Sequence, residues 1–189
     1  MRYLKVLIPV VLVAALGACA KPPQADIDAA KAAVAAAGQN ADIVAYAPDT
    51  LKTAQDKLAQ MQTELDAKHY DKVKSLALEA KAAAESAAND AAKGKEKAQA
   101  DATTLIESLK TALPEAQQKL AAAKKVKNLK LNFAAFAKQL TDAKAALAGA
   151  QKDLDAGNFA TALQTATTIQ AQLADGEKSI ADAIAALKK

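Results

Sequence analysis

The chain has 189 residues, enough for one domain or two small ones. Alanine accounts for 53 of them, Trp is absent and aromatic residues make up 3%, which predicts long helices with a thin core of small side chains. The formal net charge is +4, and lysines are interspersed with Asp and Glu without a basic block or a nucleic-acid-binding motif. This pattern argues against a nucleic-acid-binding protein.

The N-terminus has the order of segments that is typical of an export signal. Arg2 and Lys5 precede an apolar stretch at positions 6–16, and Gly17 and Ala18 follow it. A basic start, a short apolar run and small residues before a cleavage point predict a secretory signal over residues 1–18. The apolar run is about half the roughly 20 residues that a membrane-spanning helix needs.

The segment Leu16-Gly17-Ala18-Cys19 resembles the lipobox of bacterial lipoproteins. That resemblance implies a diacylglycerol on the Cys19 thiol, cleavage before Cys19, and acylation of the new amino group by a chain such as palmitate. By the sorting pattern of enteric lipoproteins, Ala20 implies the outer membrane, with the protein facing the periplasm. Cys19 is the only cysteine, so no intramolecular disulfide can form. A chance cysteine in an ordinary signal peptide is the alternative.

The mature chain would begin with a short stiff tether, residues 19–23, because consecutive prolines favour an extended backbone. Beyond the tether, a shift of 89 residues aligns the sequence with itself. Leu65-Asp66-Ala67-Lys68-His69-Tyr70 then lies on Leu154-Asp155-Ala156-Gly157-Asn158-Phe159. Such internal similarity indicates a repeated structural unit.

Each copy has the pattern of an antiparallel helical hairpin. Apolar or small residues recur at spacings of three and four on both sides of the turn at Lys68-His69 or Gly157-Asn158, as in coiled-coil-like seams. Gly157-Asn158 predicts a helix stop, since both residues tolerate a left-handed backbone. The seam residues are Leu51, Ala54, Leu58, Met61, Leu65, Val73, Ala77, Ala80, Ala84, Ala87 and Ala91 in the first copy, and Leu140, Ala143, Leu147, Ala150, Leu154, Ala162, Ala166, Ile169, Leu173, Gly176, Ile180, Ala183 and Leu187 in the second.

A shorter helix is expected before each hairpin, which makes each unit a three-helix bundle. Its apolar positions are Ile27, Ala30, Val34 and Ala37 in the first copy, and Leu113, Ala116, Leu120 and Ala123 in the second. Pro114 is expected to begin the second of these helices, and Pro48 the helix that follows the first. The predicted all-α fold is therefore a tandem repeat of residues 24–93 and 113–189. For the helical connector at 94–112, a single helix from Tyr70 to Ala112 and a break near Gly94 are both open.

Residues 22–92 resemble an alanine-rich helical domain of unknown function that occurs in proteobacterial envelope lipoproteins. The resemblance rests on Pro48, Leu51, Ala54 and Leu58, and on the turn region of Leu65, Tyr70, Val73 and Ala77. The second copy departs from this pattern, because Ala137 stands where the first copy has Pro48. Some members of the family also carry a peptidoglycan-binding domain of the OmpA type. This chain has none, so binding to the cell wall is unsupported.

The sequence offers no arrangement that predicts catalysis, a metal or a cofactor. The single histidine, His69, lies in a predicted turn and has no neighbouring set of ligands. No second histidine is present to activate a nucleophile, and the only thiol is assigned to the lipid. We expect a protein that is not an enzyme.

Two further features have both structural and functional interpretations. Tyr70 and Phe159 follow corresponding turns, where an aromatic ring is expected to close the end of a bundle rather than bind a ligand. The terminal Lys189 is shared with the murein lipoprotein, whose last lysine is joined to peptidoglycan. Terminal lysines also complement the helix dipole, which is the simpler account.

The sequence therefore predicts a non-catalytic, lipid-anchored helical scaffold, spacer or protein-interaction module in the periplasm. Its expected contacts are the membrane, through acylated Cys19, and an envelope protein partner. Two alternatives stay open: a helical carrier of a lipid or small ligand, and an oligomeric coiled-coil spacer that contacts peptidoglycan.

Overall fold

The fold is all-α, as the sequence predicts, and the computed structural model describes residues 21–187. Its helices are α1 (Gln24–Gln39), α2 (Ala41–Tyr46), α3 (Pro48–Asp66), α4 (Tyr70–Ala123), α5 (Phe133–Asp155) and α6 (Phe159–Ala186). Pro48 is the first residue of α3, as expected from the missing N–H of proline.

The central element is α4, one continuous helix of 54 residues. At about 1.5 Å per residue it is about 80 Å long. The helix passes through Gly94 without a break, so the alternative of an interruption there is wrong. It also extends past Ala112, the expected end of the connector, as far as Ala123.

The prediction that Pro114 begins a separate helix is also wrong, since Pro114 lies inside α4. The apolar seam explains the continuity, because Leu109, Leu113 and Ala116 are all buried at helical spacing across the proline. Pro114 itself is exposed, as is Lys110 one turn earlier. The carbonyl group of Lys110, which loses its N–H partner at the proline, can therefore bind water.

Two cores lie along α4, one on each half. The lower bundle consists of α1, α2, α3 and the first half of α4, and Ile27, Met61 and Val73 are its largest fully buried side chains. The upper bundle consists of the second half of α4, α5 and α6, with Ile106, Leu140 and Ile169 in its core. The first helix of the upper bundle is thus the C-terminal part of α4, which buries Leu113, Ala116, Leu120 and Ala123.

Buried positions recur 89 residues apart in the two bundles. The pairs are Leu51 and Leu140, Ala54 and Ala143, Met61 and Ala150, Val73 and Ala162, Ala77 and Ala166, and Ala80 and Ile169. The two hairpin turns also match: Lys68 (φ 60°) and Gly157 (φ 82°) both have a left-handed backbone. The next N–H in each turn, of His69 or Asn158, donates to a carbonyl five residues back, as in a Schellman motif. These similarities agree with a duplicated unit, which stays a prediction.

The first helix and the C-terminal part of the chain lie at opposite ends of α4. Ala33 and Ala37 of α1 line a groove with Ala84, and Asp42, just beyond α1, pairs with Lys95 further along α4. Later residues of this first segment thus contact later residues of α4. Helix α1 therefore runs parallel to α4 and begins near the N-terminus of α4. The loop after Ala123 lies at the other end, which we call the distal end.

Tyr46 joins the two bundles where α2 crosses α4. A Cβ atom at Gly94 would lie 2.5 Å from the carbonyl oxygen of Tyr46, so only glycine allows this close approach. The hydroxyl group of Tyr46 accepts a hydrogen bond from the backbone N–H of Ala160 (3.4 Å), in the first turn of α6. The N–H groups of a first helical turn have no partner within the helix, so Tyr46 supplies one from the other bundle.

Candidate functional site

A groove of about 710 Å³ lies between the C-terminal parts of α4 and α6. We call it the distal groove. Its volume lies within the range of about 300–1,000 Å³ that is typical of ligand-binding clefts. Its apolar lining consists of Ala122, Ala123, Val126, Ala174, Ile180, Ala181 and Ile184.

Helix α5 does not line the distal groove. Phe136, near the start of α5, packs directly on Gly176, where any side chain would overlap the phenyl ring. Beyond Gly176, the residues that line the groove come from α4, α6 and the loop, and none from α5. The last turns of α6 therefore carry incompletely covered apolar side chains, and Leu187, at the end of the helix, is 43% exposed.

An ion pair crosses the groove at its rim. The Nζ atom of Lys119, on α4, lies 2.7 Å from Oε1 of Glu177, on α6. The hydrogen bond from Lys119 to Glu177 raises the pKa of Lys119, and the nearby negative charges of Glu177 and Glu115 act in the same direction. Both side chains are substantially exposed, so the pair contributes at most modestly to stability.

The loop at residues 124–132, which we call the basic loop, follows α4 at the groove. It contains four exposed lysines, Lys124, Lys125, Lys127 and Lys130, and neither Asp nor Glu. Its Val126 lines the groove and is 39% exposed. The expected even mixture of lysines with Asp and Glu holds along the helices but not in this loop, which only the fold places at one end of the molecule. The run Lys124-Lys125-Val126-Lys127 is the sequence feature that indicates this basic loop.

The sequence-predicted anchor lies elsewhere. Leu16, Gly17, Ala18 and Cys19 fall outside the residues that the structure describes. Lys21, where the description begins, is three residues before α1. The start of α1 lies at the end of α4 that is opposite to the distal groove.

His69 lies in the turn between α3 and α4, as predicted, and its imidazole ring is 58% exposed. Its Nδ1 atom lies 2.6 Å from Oε2 of Glu64, and the Nζ atom of Lys72 lies 3.3 Å from Oε1 of the same carboxylate. The hydrogen bond to His69 is the main cause of the lowered pKa of Glu64, with Lys72 adding to it. This arrangement ties α3 to α4 at the turn.

The aromatic residues are spread over the fold. Tyr70 and Phe159 are the first residues of α4 and α6, and both are half-buried beside their turns. Phe136 is buried in the upper core, and Phe133 packs against that core. The structure therefore places them at separate packing positions rather than in one aromatic site.

Within residues 21–187, no three His, Cys, Asp or Glu side chains lie close enough together to hold a metal ion. Among the helices described, none combines the length and the apolar character needed to cross a bilayer.

Comparison with known proteins gives one similarity. No curated protein matches the chain, and no solved structure does. Over residues 25–103, which contain the lower bundle and α4 as far as Thr103, the chain is similar to the family described as "Domain of unknown function (DUF4398)".

Proposed function

We propose that this protein is a non-catalytic lipoprotein of the outer membrane, which extends a helical scaffold into the periplasm. The observation that carries the proposal is the position of the two ends of the fold. The start of α1 adjoins one end of α4, and the distal groove lies at the other. An anchor at Cys19 would thus hold the groove most of the roughly 80 Å length of α4 away from the membrane.

The lipobox-like segment and the single cysteine support the anchor. Each acyl CH₂ buried in a bilayer contributes about 0.8 kcal/mol, and two or more chains give stable attachment where one does not. The segment Lys21-Pro22-Pro23 leaves little slack between Cys19 and the first helical residue, Gln24. A short tether would keep the fold close to the membrane surface.

The continuous α4 supports the role of a scaffold or spacer. The two bundles share one helix, and Tyr46 contacts both of them beside Gly94. Such a connection resists bending more than a flexible linker would. In the proposal, the two bundles are copies of one unit that together form a rod, and His69 is a structural residue of a turn.

Replacing Cys19 with Ser tests the anchor. Cells that carry the wild-type or the C19S chain are grown with radiolabelled palmitate, and their membranes are separated on a density gradient. We expect the wild-type protein to carry label in the outer membrane, and the C19S protein to lose the label. A C19S protein that stays in the outer membrane, or a wild-type protein without label, would contradict the anchor.

A second variant, Ala20→Asp, controls for loss of export. It keeps the cysteine, so the label should be retained. By the enteric sorting pattern, the labelled protein should move to the inner membrane. If A20D loses the label as C19S does, the effect of C19S cannot be assigned to the thiol, and this part of the proposal fails.

A further inference from the structure

The lower bundle contains a groove in a position that corresponds to the distal groove. Ala33, Ala36 and Ala37 of α1 line it together with Ala84 and Glu85 of α4. The first helices of the two copies are 86 residues apart, so Ala33, Ala36 and Ala37 correspond to Lys119, Ala122 and Ala123. The hairpins are 89 residues apart, so Glu85 corresponds to Ala174. All four of those residues line the distal groove. The two grooves thus lie between corresponding pairs of helices.

In the lower bundle, the short helix α2 forms one wall of this groove. The side chain of Asn40 caps α2 by accepting hydrogen bonds from the N–H groups of Asp42 and Ile43. Ile43 lines the groove and is only 4% exposed. The carboxylate of Asp42 accepts hydrogen bonds of 2.9 and 3.0 Å from Lys95 on α4. The helix at this groove is thus amphipathic, with an apolar anchor and an acidic residue.

In the upper bundle the basic loop stands at the positions that correspond to α2, and its Leu129, 86 residues after Ile43, is buried in the core. The loop follows α4 directly and α5 begins only at Phe133, so no helix takes the place of α2 there. The open volume is about 710 Å³, against about 260 Å³ for the groove that α2 lines. Ile184, which lies 89 residues after Lys95, faces this volume.

The charge and length of the distal groove specify its occupant further. Lys119 and Lys178 line it together with Glu177, which pairs with Lys119, and the four lysines of the basic loop follow α4 beside it. Positive potential of this kind favours a negatively charged partner. From Ala174 to Ile184 the groove runs about 15 Å along α6, which is the length of a helix of about ten residues.

We propose that the distal groove is a docking site for an acidic amphipathic helix of a partner protein. The helix lays apolar side chains between α4 and α6, and its carboxylates pair with the lysines at the rim. This is the helix-in-groove mode of recognition. The inference adds a partner interaction to the scaffold of the proposed function, and it does not depend on the lipid anchor.

The test uses the protein as the cell exports it, in zwitterionic phospholipid nanodiscs, or in buffer if it purifies without lipid. The probe is a stapled helical peptide of about ten residues, with Ile and Leu on one face and Glu elsewhere. Its matched control has Lys in place of every Glu. We expect only the acidic peptide to shift the NMR methyl signals of Val126, Ile180 and Ile184, and its affinity to fall with added salt.

Two variants of α6 make the test specific. Ala181 and Ala185 are both exposed, but only Ala181 lines the groove. Glu at position 181 places bulk and negative charge in the groove, and we expect A181E to weaken binding of the acidic peptide by at least about tenfold. A185E is the control and should bind it as the wild type does. Neither substitution enters the core.

Several results would overturn the proposal. Equal binding of the basic peptide would show that the charge of the groove does not select the partner. Unchanged binding by A181E would show that the peptide does not occupy the groove. Methyl shifts caused by dodecyl phosphate but not by the acidic peptide would assign the groove to an anionic amphiphile. A dimer that A181E disrupts, in sedimentation experiments in which the peptide does not bind, would make a second copy of this chain the occupant.

Discussion

The substitution of alanine for two helical glycines tests the junction between the bundles. Gly94 in α4 and Gly149 in α5 both lie inside helices. A Cβ atom at Gly149 has no heavy atom within 4 Å, whereas one at Gly94 would lie 2.5 Å from the backbone oxygen of Tyr46. The same change therefore meets open space at one site and the backbone of α2 at the other.

The magnitudes separate the two variants. Alanine is favoured over glycine in a helix interior by about 1 kcal/mol, so G149A should stabilise the protein by about that amount. G94A gains the same term, but forcing the backbone of α2 away should cost about 1–3 kcal/mol, as overpacking does in cores. The free energy of unfolding of G94A should thus lie about 1–3 kcal/mol below that of G149A.

Thermal and urea unfolding, followed by circular dichroism at the helical band, measure this difference. For a chain of this size, 1 kcal/mol corresponds to a shift in Tm of about 2–4 °C. Hydrogen exchange of the Ile43 and Val44 amides should also become faster in G94A, because α2 is displaced. Equal stabilisation by G94A and G149A would refute the close contact between α2 and α4.

Four further predictions concern single positions. Pro114→Ala should raise the free energy of unfolding by as much as about 3 kcal/mol, since it restores a hydrogen bond to the Lys110 carbonyl group; an unchanged or lower Tm would contradict the continuous α4. Gly176→Ala gains the same helix preference but overlaps Phe136, so its free energy of unfolding should lie about 1–3 kcal/mol below that of G149A, and Phe136→Leu in the same chain should recover part of the difference. Lys68→Gly should stabilise the protein by about 1 kcal/mol, because the left-handed backbone at position 68 costs glycine little, whereas Gly157→Ala, with φ at 82°, should destabilise it. His69→Ala should raise the pKa of Glu64 towards its ordinary value, as measured by NMR titration of the carboxyl carbon.

The contact between Glu64 and His69 also makes the stability of the fold depend on pH. The pKa of Glu64 is lowered in the folded state, mainly by the hydrogen bond with His69. The ionised carboxylate therefore stabilises the fold at pH values above the ordinary pKa of glutamate, and this contribution is lost as the pH falls through the lowered value. The H69A variant should lose less stability than the wild type over that acidic range, and a larger loss would contradict the assignment.

The sequence predicted the fold class and most of the buried face of each helix. The spacing of residues such as Leu51, Ala54 and Val73 is enough to define which side is buried, because a helix repeats every 3.6 residues. The turns were also predictable. The second follows from Gly157 itself, and the first from the correspondence of Lys68 with Gly157. These features depend only on neighbouring residues.

The continuity of α4 and the distal groove could not be derived in the same way. Proline at the first turn of a helix and proline inside a helix have the same local sequence, and only tertiary packing of Leu109 and Leu113 decides between them. Gly94 similarly indicated a break in the helix. The structure instead requires glycine there because Tyr46, from a distant part of the chain, approaches the backbone closely. The groove depends on where α5 begins relative to α6, which spacing within one helix does not determine.

The most direct test of the account is the length of α4 in solution. Spin labels carried by unnatural amino acids at the exposed positions Lys81 and Gln117 leave Cys19 untouched and span both Gly94 and Pro114. At about 1.5 Å per residue, the two backbone sites lie about 54 Å apart. Pulsed electron paramagnetic resonance should give one narrow distance distribution near that value, and a broad or much shorter distribution would contradict a single rod shared by both bundles.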